Sequence, residues 1–296
     1  MSTYRIKLFT KASVGEHDGD QTYCIKNNLV AIGWGFENEP EIKLDEYKKR
    51  VEEKFGKDRN FKISYNNFLN LNKDDFVWVE INARDYRLGK IQEKYDKYSI
   101  VKDKEKCRMG LTKKCMWKKI NFNDVPGEVI NSCAQRGCTL IQKHNLDDFK
   151  EYFEYLYDKC NYNNTCILDY KKLLHYDDLE DLLGLYLQKE KGYFIIPSTN
   201  KSSTKLIEYE LRRKNNGKIE KSCVQCKTGT SIVEDDIFKD EEFKDYKIYI
   251  STINNDNYDN KRDNVKTIYT DDLWNWAKDN KELLPERIQK YIEICK

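Results

Sequence analysis

Ser222-Cys223-Val224-Gln225-Cys226-Lys227-Thr228-Gly229 closes an otherwise apolar stretch with an amide and an ammonium two residues apart. Side chains at i and i+2 of an extended strand point to the same face, so Gln225 and Lys227 project together. Upstream, Leu206-Ile207-Glu208-Tyr209-Glu210-Leu211 reads as a second strand with two carboxylates on one face, and Asn215-Asn216-Gly217 turns one strand into the other. Before them, Leu179, Leu182, Leu183, Tyr186 and Leu187 form the apolar stripe of a helix that Asp177 or Asp178 can cap and Gly192 ends. Glu180 sits beside that stripe. Tyr193-Phe194-Ile195-Ile196-Pro197 follows as a short buried strand. Strands at Tyr246–Ser251 and Val265–Tyr269 and a terminal helical region from Asp271, with Leu273, Trp274 and Trp276, complete the half. Carboxylates, an amide and an ammonium brought together by such elements suit a metal-dependent nuclease centre. Taken singly, Glu-x-Glu also fits a solvated strand face, and Glu180 also fits ordinary amphipathic patterning.

The 296 residues favour two domains. With 39% hydrophobic and 13% aromatic residues there is ample material for cores, so disorder is not expected. A net charge of +2 does not predict wholesale electrostatic binding to nucleic acid and leaves room for a local basic surface. The N-terminus has no apolar signal core and no run approaches membrane-spanning length, so a cytoplasmic chain without membrane association is expected. Its ten cysteines are then expected to stay reduced. Cys223 and Cys226 form the one C-x-x-C, but strand alternation turns their thiols to opposite faces, against a zinc site. Cys107 and Cys115, Cys133 and Cys138, and Cys160 and Cys166 are spaced more loosely still. His17, His144 and His175 do not cluster with carboxylates, which disfavours histidine-based catalysis.

The N-terminal half reads as many short strands: Tyr4–Thr10, Leu29–Phe36, Asp75–Ile81, Tyr86–Ile91 and Cys115–Ile120, with Leu140-Ile141 closing the set. Leu44–Phe55 and Ile63–Leu71 are expected helices, Asn82–Asp85 a hairpin turn, and Asp124–Glu128 a turn into a short helix. This pattern suits a small β-barrel. Trp34, Trp78 and Trp117 could wall a slot for a flipped base, with Tyr86 beside them, or could pack the barrel core.

Leu29…Gly33-Trp34-Gly35, Asp75-Phe76-Val77-Trp78-Val79, Tyr86-Arg87-Leu88-Gly89-Lys90-Ile91 and Trp117-Lys118-Lys119-Ile120…Val125-Pro126-Gly127-Glu128-Val129-Ile130-Asn131-Ser132 together resemble a PUA-like module of the EVE and YTH kind. That resemblance implies an α+β domain over residues 1–145, a small barrel with flanking helices that holds a modified or flipped base. Residues 146–170 would be a helix and linker, with Phe149, Tyr152, Phe153 and Leu156 on one stripe and a polar turn at Asn161–Thr165. Residues 171–296 resemble an Mrr-like PD-(D/E)XK nuclease, an α/β core with a mixed sheet. Leu179-Glu180-Asp181-Leu182-Leu183…Gly192-Tyr193 matches that family's first helix and the strand after it. Val224-Gln225-Cys226-Lys227 matches its Gln-x-Lys, and Glu210 stands where the family has Asp, with Glu208 a competing assignment. The resemblance implies that Glu210, Gln225, the Cys226 main-chain carbonyl and Glu180 bind Mg²⁺ or Mn²⁺ while Lys227 handles the attacking water. It implies an endonuclease for double-stranded DNA, including DNA with modified bases, in restriction or anti-phage defence. Cutting both strands would call for a homodimer or a pair assembled on DNA. The alternative is a nucleic-acid-binding or sensor protein, RNA included among its ligands, with an inactive nuclease-like core.

Overall fold

The computed structural model describes residues 1–8, 18–34, 42–93, 99–100, 110–134, 140–159, 168–199, 207–227, 243–253 and 262–295. They form two compact units: Met1–Val125 with Val129–Leu168, and Pro126–Glu128 with Asp169–Lys296. Both are mixed α/β.

The first unit is built on a seven-stranded sheet. Its strands are β1 (Thr3–Ile6), β2 (Leu29–Ala31), β3 (Phe76–Asn82), β4 (Asp85–Ile91), β5 (Ser99–Ile100), β6 (Leu111–Ile120) and β7 (Ile141–His144), in the order β2-β6-β4-β3-β1-β7 with β5 on β6. β1 runs parallel to β3; the other pairs are antiparallel. The helices are α1 (Asp18–Lys26), α2 (Leu44–Phe55), α3 (Arg59–Leu69), α4 (Gly127–Ala134) and α5 (Lys150–Asp158). The α3 helix starts at Asp58, whose carboxylate accepts the N–H groups of Asn60 and Phe61 at 2.7 and 3.3 Å, satisfying two donors that would otherwise be orphaned.

Strand alternation gives this sheet two covered faces. Val77 and Val79 of β3 pack with Tyr47 and Val51 of α2 and with Phe61, Tyr65 and Phe68 of α3. Phe76 and Trp78, on the opposite face, meet Phe153 of α5 edge-on at 5.9 and 5.5 Å. The stripe of α5 belongs to the core of the first unit: Phe149, Tyr152 and Phe153 are fully buried. Gly35, Phe36 and Asn161–Thr165 lie outside the described residues.

The second unit carries α6 (Tyr170–Leu173), α7 (Tyr176–Lys191), β8 (Phe194–Ile196), β9 (Tyr209–Asn215), β10 (Lys218–Lys227), β11 (Tyr246–Thr252), β12 (Val265–Thr267), α8 (Thr270–Asp279) and α9 (Glu286–Ile294). Its sheet has the order β12-β11-β10-β9-β8, with β12, β11 and β10 parallel and β10, β9 and β8 antiparallel. The hairpin between β9 and β10 turns on Asn216 and Gly217, both in the left-handed region at φ 48° and 79°, as a two-residue hairpin requires. At the start of α7 the cap falls two or three residues earlier than expected, on His175, whose N–H donates to the Asp178 carboxylate at 2.7 Å. Gly192 ends the helix at φ 68°.

The expected burial of the strand after α7 is wrong. Among the described residues β8 pairs only with β9, so it is an edge, and Phe194 is 72% exposed. One face of the sheet packs under α7. A β-carbon on Gly184 would lie 2.7 Å from the Tyr209 hydroxyl, so the absence of a side chain lets Tyr209 reach across and donate to the Glu180 carbonyl at 2.9 Å. That bond ties the Glu180 turn of the helix to the start of β9.

Candidate active site

Four of the sequence-derived residues come together where β9 begins and β10 ends. The Gln225 side chain is buried at 1% exposure in the stretch of β10 where Ser222, Cys223, Val224 and Cys226 are buried too. Its Nε2 donates to Glu208 Oε1 at 2.7 Å and to the Cys226 carbonyl at 3.3 Å. Its Oε1 is buried with no hydrogen-bond partner among the described residues. Glu208 lies one residue before β9, where the chain bends and its N–H donates to the Val224 carbonyl at 2.8 Å.

Electrostatics join Glu180 and Lys227 to this pair. Burial pushes the Glu180 carboxyl up to about 8, helped by the charges of Glu208, Asp177 and Asp181 and opposed by Lys227. Burial also raises Glu208, while the Lys227 ammonium, a hydrogen bond from the Cys226 backbone and one from the Glu180 carboxyl hold it down. Two half-buried carboxyls that hydrogen-bond to each other cannot both ionise cheaply, so they retain a proton in the neutral range. Asp181 is pushed up to about 6 by the same combination, burial first and then Asp178 and Asp177. Asp177 and Asp181, which shape the field of this centre, were missed in the sequence; their position within one turn of Glu180 was the available signal.

Glu210 does not join them. Its Oε2 accepts from Arg212 Nη2 at 2.5 Å and from the Tyr246 hydroxyl at 3.2 Å, and its N–H donates to Thr199 Oγ1 at 2.8 Å. It stands opposite Cys223 in the ladder rather than beside Gln225. Of the two competing carboxylates, the structure brings Glu208 to Gln225 and leaves Glu210 paired with Arg212 and Tyr246. The two were expected to share a strand face as equivalents, but Glu210 falls opposite Cys223 and Glu208, one step past Tyr209 in the ladder, meets Gln225.

The donors at this centre are all oxygens: two carboxylates, the orphaned Gln225 Oε1 and the Cys226 carbonyl. That set suits a hard divalent cation such as Mg²⁺ or Mn²⁺. Among the described residues no group of three or more His, Cys, Asp and Glu side chains could hold a metal ion; the set here has two carboxylates, completed by amide and main-chain oxygens. Cys223 and Cys226 are both buried free thiols, raised by burial, and alternate along β10. They are packing residues.

The four aromatics named for base recognition behave differently from one another. Trp78 is fully buried against Phe153, and Tyr86 is 2% exposed with its hydroxyl donating to Glu80 Oε1 at 3.1 Å. Both are buried, Trp78 against Phe153 and Tyr86 against Phe122, so neither presents a ring face to a base. Trp117 is half-buried, donates from Nε1 to the Leu29 carbonyl at 2.8 Å and lies over Gly89, where a β-carbon would come 2.7 Å from its ring. Trp34 remains half-buried at φ 69°, edge-on to Phe61 at 5.0 Å. Among the described residues no helix is long and apolar enough to cross a membrane. Compared with protein-family models, curated proteins and solved structures, the chain matches none.

Proposed function

We propose that the second unit is a Mg²⁺- or Mn²⁺-dependent endonuclease that hydrolyses phosphodiester bonds of DNA, and that the first unit selects the DNA, including DNA with modified bases. The observation that carries this proposal is the convergence of Glu208, Gln225, Glu180 and Lys227, with Gln225 Oε1 buried and unpartnered. A polar oxygen so placed costs free energy until a cation or donor reaches it.

Glu208, Glu180, Gln225 Oε1 and the Cys226 carbonyl would hold the metal, which when bound neutralises charge on the phosphate and acidifies water. Glu208 and Glu180, which share a retained proton, would release it to solvent as they take up the cation. Lys227 supplies a positive charge beside the developing phosphate charge and a donor to orient the attacking water. Gln225 fixes the Glu208 carboxylate through its amide N–H. In the first unit, Trp34, half-buried at the edge of the core, is the aromatic left to face a base. Cutting of both strands calls for two such centres, hence a homodimer or a pair assembled on DNA, in a restriction or anti-phage role.

The test is incubation of the purified chain with modified and unmodified double-stranded DNA in Mg²⁺ or Mn²⁺. Wild type is expected to cut and Lys227→Ala to lose at least 100-fold, about 2.7 kcal/mol of transition-state stabilisation. Absence of cutting with either metal refutes the enzyme. Normal cutting by Lys227→Ala refutes the site.

A further inference from the structure

The half of the second sheet remote from α7's Glu180 turn presents one open row. Phe194 pairs with Arg212, Arg212 with Lys221, and Lys221 with Tyr246, in register across β8, β9, β10 and β11. Directly paired residues point to the same side of a sheet, and Lys221 and Gln225, four apart on β10, share that side too. The row therefore runs aromatic, cation, cation, aromatic on the face that carries the candidate centre. It lies about 13 Å from Gln225 at a rise of about 3.3 Å per residue. Lys214, opposite Ile219 on the next pair outward, adds a third cation.

Phe194 and Lys221 of the row are exposed, Arg212 and Tyr246 half-buried. Phe194 is 72% exposed and Ile219 63%. Lys214 and Lys221 are exposed, and among the described residues neither has an ion-pair partner. Arg212 is pinned by Glu210 and stacks its guanidinium 5.4 Å from the Tyr246 ring, with the Lys221 ammonium 5.8 Å from the same ring. With Glu210 the one anion among the described residues in this part of the face, three cations leave an excess of positive charge. An exposed ring on an edge strand with no ring neighbour among the described residues is a poor core element but a flat platform for a base.

We propose that this row binds an unpaired nucleic-acid strand, with Lys214 and Lys221 on its phosphates and Phe194 stacked on a base. Cations that track a backbone beside aromatics that stack on bases are the two components of single-strand recognition. A closed duplex offers the cations its phosphates but offers Phe194 no free base face. The surface deepens the nuclease proposal and rests on it only for the claim that the bound strand leads to the cutting centre.

The experiment uses the full chain in EDTA and fluorescence anisotropy with a labelled unstructured DNA oligonucleotide, an RNA of the same sequence and a DNA duplex, each titrated with salt. Wild type is expected to bind a single strand more tightly than the duplex, the tighter of the DNA and RNA arms naming the strand. Phe194→Ala is expected to weaken single-strand binding about tenfold. Lys214→Ala/Lys221→Ala is expected to lower the slope of log affinity against log salt by about 1.4, roughly 0.7 for each phosphate that the lysines no longer neutralise. All three side chains are exposed, so the melting temperatures should match wild type. Variants that bind all three ligands as wild type does overturn the proposal, as does a duplex bound as tightly as the single strands with Phe194→Ala silent. Strand binding as described by a protein that cuts nothing in Mg²⁺ or Mn²⁺ supports this surface and removes the nuclease.

Discussion

Glu208 and Glu210 are two residues apart and chemically identical, yet their surroundings give them different work. Glu210 meets a permanent cation and a phenol, Arg212 and Tyr246, and is neutralised by them. Glu208 meets an amide and a second carboxyl, Gln225 and Glu180, and keeps capacity for a cation. Trp78 shows the same dependence on surroundings among the tryptophans. With no exposure and Phe153 across its ring, it belongs to the core. Trp78→Ala should cost about 3–5 kcal/mol by leaving a cavity, read as a fall in the urea midpoint of unfolding. Trp34→Ala, at a half-exposed position, should cost much less and should alter preference between modified and unmodified DNA.

The β9–β10 hairpin decides the site at the level of elements. Gly217 at φ 79° sits where a β-carbon is strained, so Gly217→Ala should destabilise the second unit by about 1–2 kcal/mol, measured by thermal or urea unfolding. The Asn216-Gly217 pair was legible in the sequence as a turn, and it held more than was taken from it. A two-residue turn pairs Asn215 with Lys218 and counts down to Tyr209 opposite Val224; one step further sets Glu208, not Glu210, against Gln225. The helix carrying Glu180, its apolar stripe and its glycine end were equally legible, because periodicity and capping are local. The exposure of β8 was not. Tyr193–Pro197 is apolar whether the strand is central or at an edge, and only the order of strands in the sheet leaves Phe194 in solvent. Trp78 was open between a base slot and the core because alternation names two faces; Phe153 of α5 across its ring puts it in the core.

Across the whole molecule, the half-buried Glu180 carboxyl couples protonation to stability. The folded chain holds Glu180 protonated up to about pH 8 against an ordinary value of 4.5. Between those values the native state binds more protons than the unfolded chain, so stability falls as pH rises through that window. In EDTA, the melting temperature should therefore decline from about pH 4.5 to about pH 8, and Glu180→Gln should flatten that slope. A divalent cation bound only by the native state should restore stability at the upper end. The net charge of +2 conceals the asymmetry that matters here: carboxylates collect near the start of α7 and cations on the distal half of the sheet face. The most direct measurement is Mn²⁺-dependent cutting of DNA by Glu208→Gln and Glu210→Gln compared with wild type. Loss of cutting and of Mn²⁺ binding in Glu208→Gln, with both kept in Glu210→Gln, is the result expected. Full activity in Glu208→Gln, or loss of Mn²⁺ binding in Glu210→Gln alone, would contradict a centre built on Glu208, Gln225 and Lys227.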